Sequence, residues 1–170
     1  MRHLRVLGLV WALVLNAPAP VQALDELPLK AAIVYNLLLF VQWPDEDRMG
    51  PNSALTLCAD AGGPLWPHLR ALQSRPVRRF RLELREFVPD DGGVAQLCHA
   101  TLLEDRPARR GVALSGLTIG DGRRADEPGV VIALRPIDGR IGFDVDLSAA
   151  RAQGLTLSSK VLRLARVVRE

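Results

Sequence analysis

Four side chains in the body of this 170-residue sequence have the softness and spread to do chemistry: Cys58, Cys98, His68 and His99. Two thiolates and two imidazoles could hold tetrahedral zinc, but structural zinc sites usually bring ligands in close pairs such as C-x-x-C. Only Cys98 and His99 are neighbours here, and adjacent residues on a strand face opposite ways. An even cysteine count in an exported chain favours pairing instead. A Cys58–Cys98 bond would close a loop of about 40 residues, worth on the order of 4 kcal/mol in the chain-entropy account. Three readings stand at this point: a disulfide, which the count favours, two free thiols, and a zinc site, which the spacing disfavours.

Other constellations are weaker. No G-x-S-x-G surrounds any serine, and a Ser-His-Asp set would have to draw on His68 or His99, which read better as structural histidines. Counted from Ser158 or Ser159, the Ser-x-x-Lys spacing falls on Val161 or Leu162, and Lys160 comes too early. Gly62-Gly63-Pro64 has the placement of a phosphate-cradling loop without the G-x-G-x-x-G or G-x-x-x-x-G-K pattern. Asp121, Asp126, Glu127 and Asp138 could be read as hydrolytic carboxylates, yet each sits where turns favour acids. The basic stretch Arg75, Arg78, Arg79 and Arg81 suits either an acidic partner or a solvated strand face, the latter more often. These residues imply no catalytic set, no cofactor and no metal; a small hydrolase using His68 or His99 is the remotest reading.

Compartment follows from the first residues. Arg2, His3 and Arg5 precede an apolar run over 6–15, and Val21-Gln22-Ala23 supplies small residues for a cut, so residues 1–23 are expected to be a cleaved export signal. Ten apolar residues cover about half of the roughly 30 Å needed to span a bilayer, and Pro18 and Pro20 would break a helix there. Cleavage removes two basic residues and no acid, taking Lys plus Arg from 22 to 20 against 19 acids. A nearly neutral exported domain of residues 24–170 gives no reason to expect nucleic acid as a partner. Its size suits one domain with a hydrophobic core.

The elements that must position these groups read as follows. A helix is expected over 29–41, opened by Pro28 and ended by Trp43-Pro44, and its nearly all-round apolar surface must be covered. A buried strand is expected at 55–59, a helix at 65–73, an alternating strand at 79–87 with Phe80, Leu82 and Leu84 on one face, a loop from Pro89, and a strand within 96–103. Beyond a loop at 106–111 come 114–119, a turn at 120–122, and strands at 130–134 and 140–145 joined by Asp138-Gly139, a hairpin signal. Asp146 or Ser148 can cap a helix through Gln153 that Gly154 stops, and Ser158 a last helix to about Val168. The alternation favours an α/β fold: a single mixed β-sheet flanked by helices on both faces.

Two blocks carry a family likeness. Lys30-Ala31-Ala32-Ile33-Val34-Tyr35-Asn36, running on through Phe40-Val41-Gln42-Trp43-Pro44, resembles the opening signature of the YfiR family of periplasmic proteins. The stretch from Ile141-Gly142-Phe143-Asp144-Val145 to Ser158-Ser159-Lys160-Val161-Leu162-Arg163-Leu164-Ala165 resembles its closing block. Leu37-Leu38-Leu39 replace the family's usual Phe, small and basic residues, Asp146 stands where Asn is common, and a second cysteine pair is absent.

The resemblance implies a regulator without catalysis, which binds the periplasmic region of an inner-membrane signalling protein, a diguanylate cyclase, and lowers cyclic-di-GMP synthesis and biofilm formation. An outer-membrane lipoprotein would relieve it, and self-association as a homodimer is left open. Aromatic and arginine side chains often anchor interfaces, so Tyr35, Phe40, Trp43, Arg163 and Arg166 are the expected partner-binding residues. The rival class is a periplasmic sensor that binds a small solute at the sheet's edge and is coupled to a membrane kinase or transporter.

Overall fold

The computed structural model describes residues 25–170 apart from 45, 51–52, 88–97 and 106–114. The expected export signal, the loop from Pro89 and the loop at 106–111 thus lie outside the described residues.

Local signals account for most elements. Helix α1 (Glu26–Leu38) leads to a two-residue strand β1 (Val41–Gln42), then β2 (Ala54–Ala59) and the short α2 (Trp66–Arg70). Strands β3 (Pro76–Val77) and β4 (Phe80–Glu86) form a hairpin, followed by β5 (Ala100–Leu103) and β6 (Leu117–Gly120). A tight 3-10 turn (Gly122–Asp126), capped by the Asp121 side chain, leads to β7 (Ile132–Ile137) and β8 (Arg140–Asp146). Asp138 and Gly139 both take positive φ, 46° and 74°, the geometry that a two-residue hairpin turn with right-handed strands demands. Helix α3 (Leu147–Ala152) opens on Asp146, whose carboxylate accepts from Ala149 N, and ends before Gly154 at φ 68°. Strand β9 (Thr156–Leu157), α4 (Ser159–Leu164) and β10 (Val167–Arg169) complete the chain.

Eight strands run in the order β10-β8-β7-β6-β5-β2-β4-β3, and β1 pairs with β9 in a separate ladder. The pairs β2–β4, β2–β5, β5–β6, β6–β7 and β10–β8 are parallel; β7–β8 and β3–β4 are antiparallel. The sheet is mixed, as the alternation of elements predicts. Side chains alternate between two cores. Leu55, Leu57, Ala100, Leu102, Leu117, Ile119, Ile132, Leu134 and Val145 join residues from all four α-helices in the larger one. Cys58, Leu103 and Ala133 point the other way, into a small cluster with Cys98, Phe87, Val130 and Ala125 of the 3-10 turn. The described helical cover is therefore uneven between the two faces.

Helix ends depart from the sequence reading. The helix expected to reach Val41 stops at Leu38, because Val41 pairs with Leu157 and Phe40 O accepts from Ser158 N at 3.0 Å. The last helix stops at Leu164 rather than near Val168: Ala165 turns extended and Arg166 N donates to Phe143 O at 2.9 Å, which starts β10. In both places a strand partner distant in sequence takes backbone groups that a longer helix would have bonded within itself.

Cys58 and Cys98 form a disulfide with Cα atoms 5.8 Å apart, and both are buried. It ties β2 to the entry of β5. Replacing both with serine is expected to lower unfolding stability by about 2–5 kcal/mol. Urea denaturation checks this: dithiothreitol should shift the wild-type midpoint downward and leave the double variant's midpoint where it is.

Candidate functional site

His99, both cysteines and the four turn carboxylates have structural roles. His99 Nδ1 accepts from Thr56 N at 3.0 Å, and its carbonyl accepts the Trp43 indole Nε1–H at 2.7 Å. Burial, with the Arg85 charge adding, holds the His99 pKa below the ordinary histidine value, so the ring is a neutral acceptor. The cysteine sulfurs are bonded to each other, so the Cys58–Cys98–His68–His99 zinc set cannot assemble. Asp121 caps the 3-10 turn and pairs with Lys30 at 2.9 Å, Asp126 pairs with Arg135, Glu127 with Arg124 at 2.7 Å, and Asp138 sits in the hairpin turn.

The glycine-rich loop after β2 is occupied by the protein's own carboxylate. Glu104, 6% exposed, accepts the Leu65 backbone N–H on Oε1 at 3.0 Å, and a Cβ built on Gly63 would stand 2.1 Å from Oε2. The carboxylate takes the space a phosphate would need in this loop, and a side chain at 63 would have to displace it. Burial pushes the Glu104 pKa above the ordinary glutamate range, although the Leu65 N–H favours the charged form.

A surface constellation forms where α1 meets the β3–β4 hairpin. The Tyr35 hydroxyl donates to Pro76 O, and the Arg75 guanidinium lies 5.6 Å over its ring. Arg78 lies 5.7 Å over the Trp43 ring while pairing with Glu46 at 2.8 Å, and Arg79 covers Phe80 at 5.0 Å while its Nη2 donates to Glu46 O. The two-residue turn Arg78-Arg79 places Arg78 at φ 54°, and Ser74 just before β3 is at φ 66°. Left-handed backbone at a residue with a side chain costs roughly 1–2 kcal/mol, and such strain gathers where a side chain must be aimed. Trp43 itself is 8% exposed and acts as the buried platform under Arg78. Phe40 is half-buried, with Lys160 Nζ 5.5 Å from its ring.

The expected carboxy-terminal residues stand elsewhere. Arg166 precedes β10 and donates from Nε and Nη2 to Asp144 at 2.8 and 2.6 Å, while Arg163 is exposed and donates to Ser159 Oγ at 3.3 Å. Arg166 holds the Asp144 carboxyl below its usual range against the opposing effect of burial, and Arg135 adds to this. Tyr35 contacts β3 and Arg166 borders β10, which are opposite edges of the sheet order. Tyr35 and Arg166 therefore stand apart, while Phe40 meets the start of α4, the helix that carries Arg163. Arg75, Arg78 and Arg79 join Tyr35 and Trp43, on a stretch whose sequence suits a solvated face more often than an acidic partner. A cavity of about 190 Å³ bounded by Asp126, Val130, Ala133, Asp144 and Arg169 is smaller than pockets that hold drug-sized ligands.

A family model described as YfiR/HmsC-like matches residues 28–166 of the chain. No curated protein matches it.

Two measurements follow from these environments. Arg78→Gly removes the left-handed strain of about 1 kcal/mol together with the Trp43 and Glu46 contacts, so its stability should stay within about 1 kcal/mol of wild type in urea. A native state that holds a proton on Glu104 more tightly than the unfolded chain loses stability as pH rises from the ordinary glutamate value through the raised one. Glu104→Gln should accordingly be more stable than wild type at pH 7, with the difference vanishing below about pH 4 in pH-dependent melts.

Proposed function

The chain belongs to the YfiR/HmsC-like family, and from that premise we propose that it is exported by residues 1–23 and inhibits an inner-membrane diguanylate cyclase by binding its periplasmic region. Family members are regulatory, non-enzymatic periplasmic domains in cyclic-di-GMP signalling. A disulfide suits that compartment, and no helix among the described residues is long and apolar enough to cross a membrane.

The observation that carries the partner reading is the arginine–aromatic surface. Arg75, Arg78 and Arg79 are stacked on Tyr35, Trp43 and Phe80, which fixes long side chains before a partner arrives. Preordered guanidiniums lose less rotamer freedom on binding, and their planar forks suit carboxylates. The partner surface is therefore acidic. Arg166 lies at the opposite edge, so a partner that contacts both it and this surface must reach across the sheet.

Inhibition needs differential affinity: the protein binds the cyclase's inactive arrangement more tightly and so shifts its population. An outer-membrane lipoprotein that competes for the same surface would relieve it.

Calorimetric titration of the processed protein into the cyclase's purified periplasmic region is expected to give saturable binding. Arg75→Glu should weaken it at least tenfold with the melting temperature unchanged, since Arg75 is exposed. Absence of heat and of co-purification at tens of micromolar would sink the reading.

A further inference from the structure

The two edges of the eight-stranded sheet are treated differently. Strand β3 has only two residues and begins on Pro76, which has no N–H to offer an incoming strand. Strand β10 pairs with β8 alone, contains no proline, and has all three residues exposed. Among the described residues the large apolar side chains left exposed are Leu164, Val167 and Val168, at 73%, 36% and 38%, all on β10 or just before it. An apolar edge of this kind is open to another strand.

Geometry narrows what fits. Because Arg166 N bonds to Phe143 O, backbone groups alternating along the strand turn Arg166 and Val168 toward β8 and leave Val167 and Arg169 facing outward. In an antiparallel seam between two copies, only registers that oppose outward-facing residues keep their hydrogen bonds. One sets Val167 against Val167 and puts Arg166 opposite Val168. Another sets Arg169 against Arg169, which places like charges face to face. The third sets Val167 against Arg169. It puts Val168 opposite Val168 on the two-fold axis and Arg166 opposite Glu170 on both sides, and because the pair Glu170 makes with Arg151 in its own chain is long, at 4.0 Å, and exposed, charge selects this register. Arg166 uses Nε and Nη2 on Asp144, which leaves Nη1 for a carboxylate across the seam.

We propose that a second copy of this chain docks on β10 in that antiparallel register, fusing two eight-stranded sheets into one two-fold dimer. The dimer stands apart from the cyclase reading, since its assay contains no partner.

The register has a covalent signature. Directly opposed residues in a non-hydrogen-bonded antiparallel pair have Cα atoms about 4.5 Å apart, within reach of a disulfide. The full chain, processed in the periplasm and purified, is expected to sediment as a dimer at tens of micromolar. Val168→Cys should give a covalent dimer on non-reducing gels, Val167→Cys at least tenfold less of it, and Glu170→Arg should weaken the non-covalent dimer about tenfold. Sedimentation as a monomer up to 100 micromolar overturns the proposal, as does a dimer that survives Val168→Lys. Equal crosslinking at 167 and 168 overturns the register. A monomer whose Val168→Lys variant loses the cyclase region would place a foreign strand on this edge and overturn the second copy as occupant.

Discussion

A carboxylate buried on β8 must be neutralised, and much of the carboxy-terminal architecture follows from how this is done. Asp144 is 2% exposed, and an unpaired charge at that depth would cost several kcal/mol. Arg135 reaches it from the neighbouring strand at 3.3 Å and is itself steadied by Asp126. Arg166 reaches it from beyond α4 with two hydrogen bonds. To deliver Arg166 the chain leaves the helix at Ala165 and lies down beside β8. One ion pair thereby accompanies the end of a helix, the start of an edge strand and the exposure of Val167 and Val168.

The other edge is closed by different means. Its outermost strand is short, proline-led and held by the Tyr35 hydroxyl, and its turn points two arginines back across Trp43 and Phe80. Arg78 occupies left-handed backbone to do so. That strain is offset locally by the Glu46 pair and the Trp43 ring, and Trp43 is fixed in turn by its bond to the His99 carbonyl beside the disulfide. The surface proposed to meet a partner is thus anchored through Trp43 to the small core on the other side of the sheet. Glu104 illustrates the same economy: its carboxylate occupies the glycine-rich loop after β2 and accepts the Leu65 N–H there.

Much of this was legible in the residues. The alternation of Phe80, Leu82 and Leu84, the Asp138-Gly139 hairpin and the Asp146-to-Gly154 helix rest on contacts within a few positions, and each stands where the pattern puts it. The pairing of Cys58 with Cys98 followed from their number and the expected compartment. Tyr35 and Trp43 stand out as aromatics, whereas their arginine neighbours read more readily as a solvated strand face than as a surface for an acidic partner. Arg75 and Arg78 lie 40 and 35 positions from the rings they cover, and no local period reports such a meeting.

The amino-acid sequence by itself determined the α/β class, the mixed sheet and the family, and favoured the disulfide, because periodicity, turn chemistry and signature blocks are properties of neighbouring residues and the cysteine count needs no structure. Tertiary structure alone decided where α1 and α4 end, that Val41 and Val167 become strands, and that Tyr35 and Arg166 fall at opposite edges. Those outcomes depend on backbone partners and buried charges supplied by distant segments, whose free energies exceed the few tenths of a kcal/mol by which local propensity separates helix from strand.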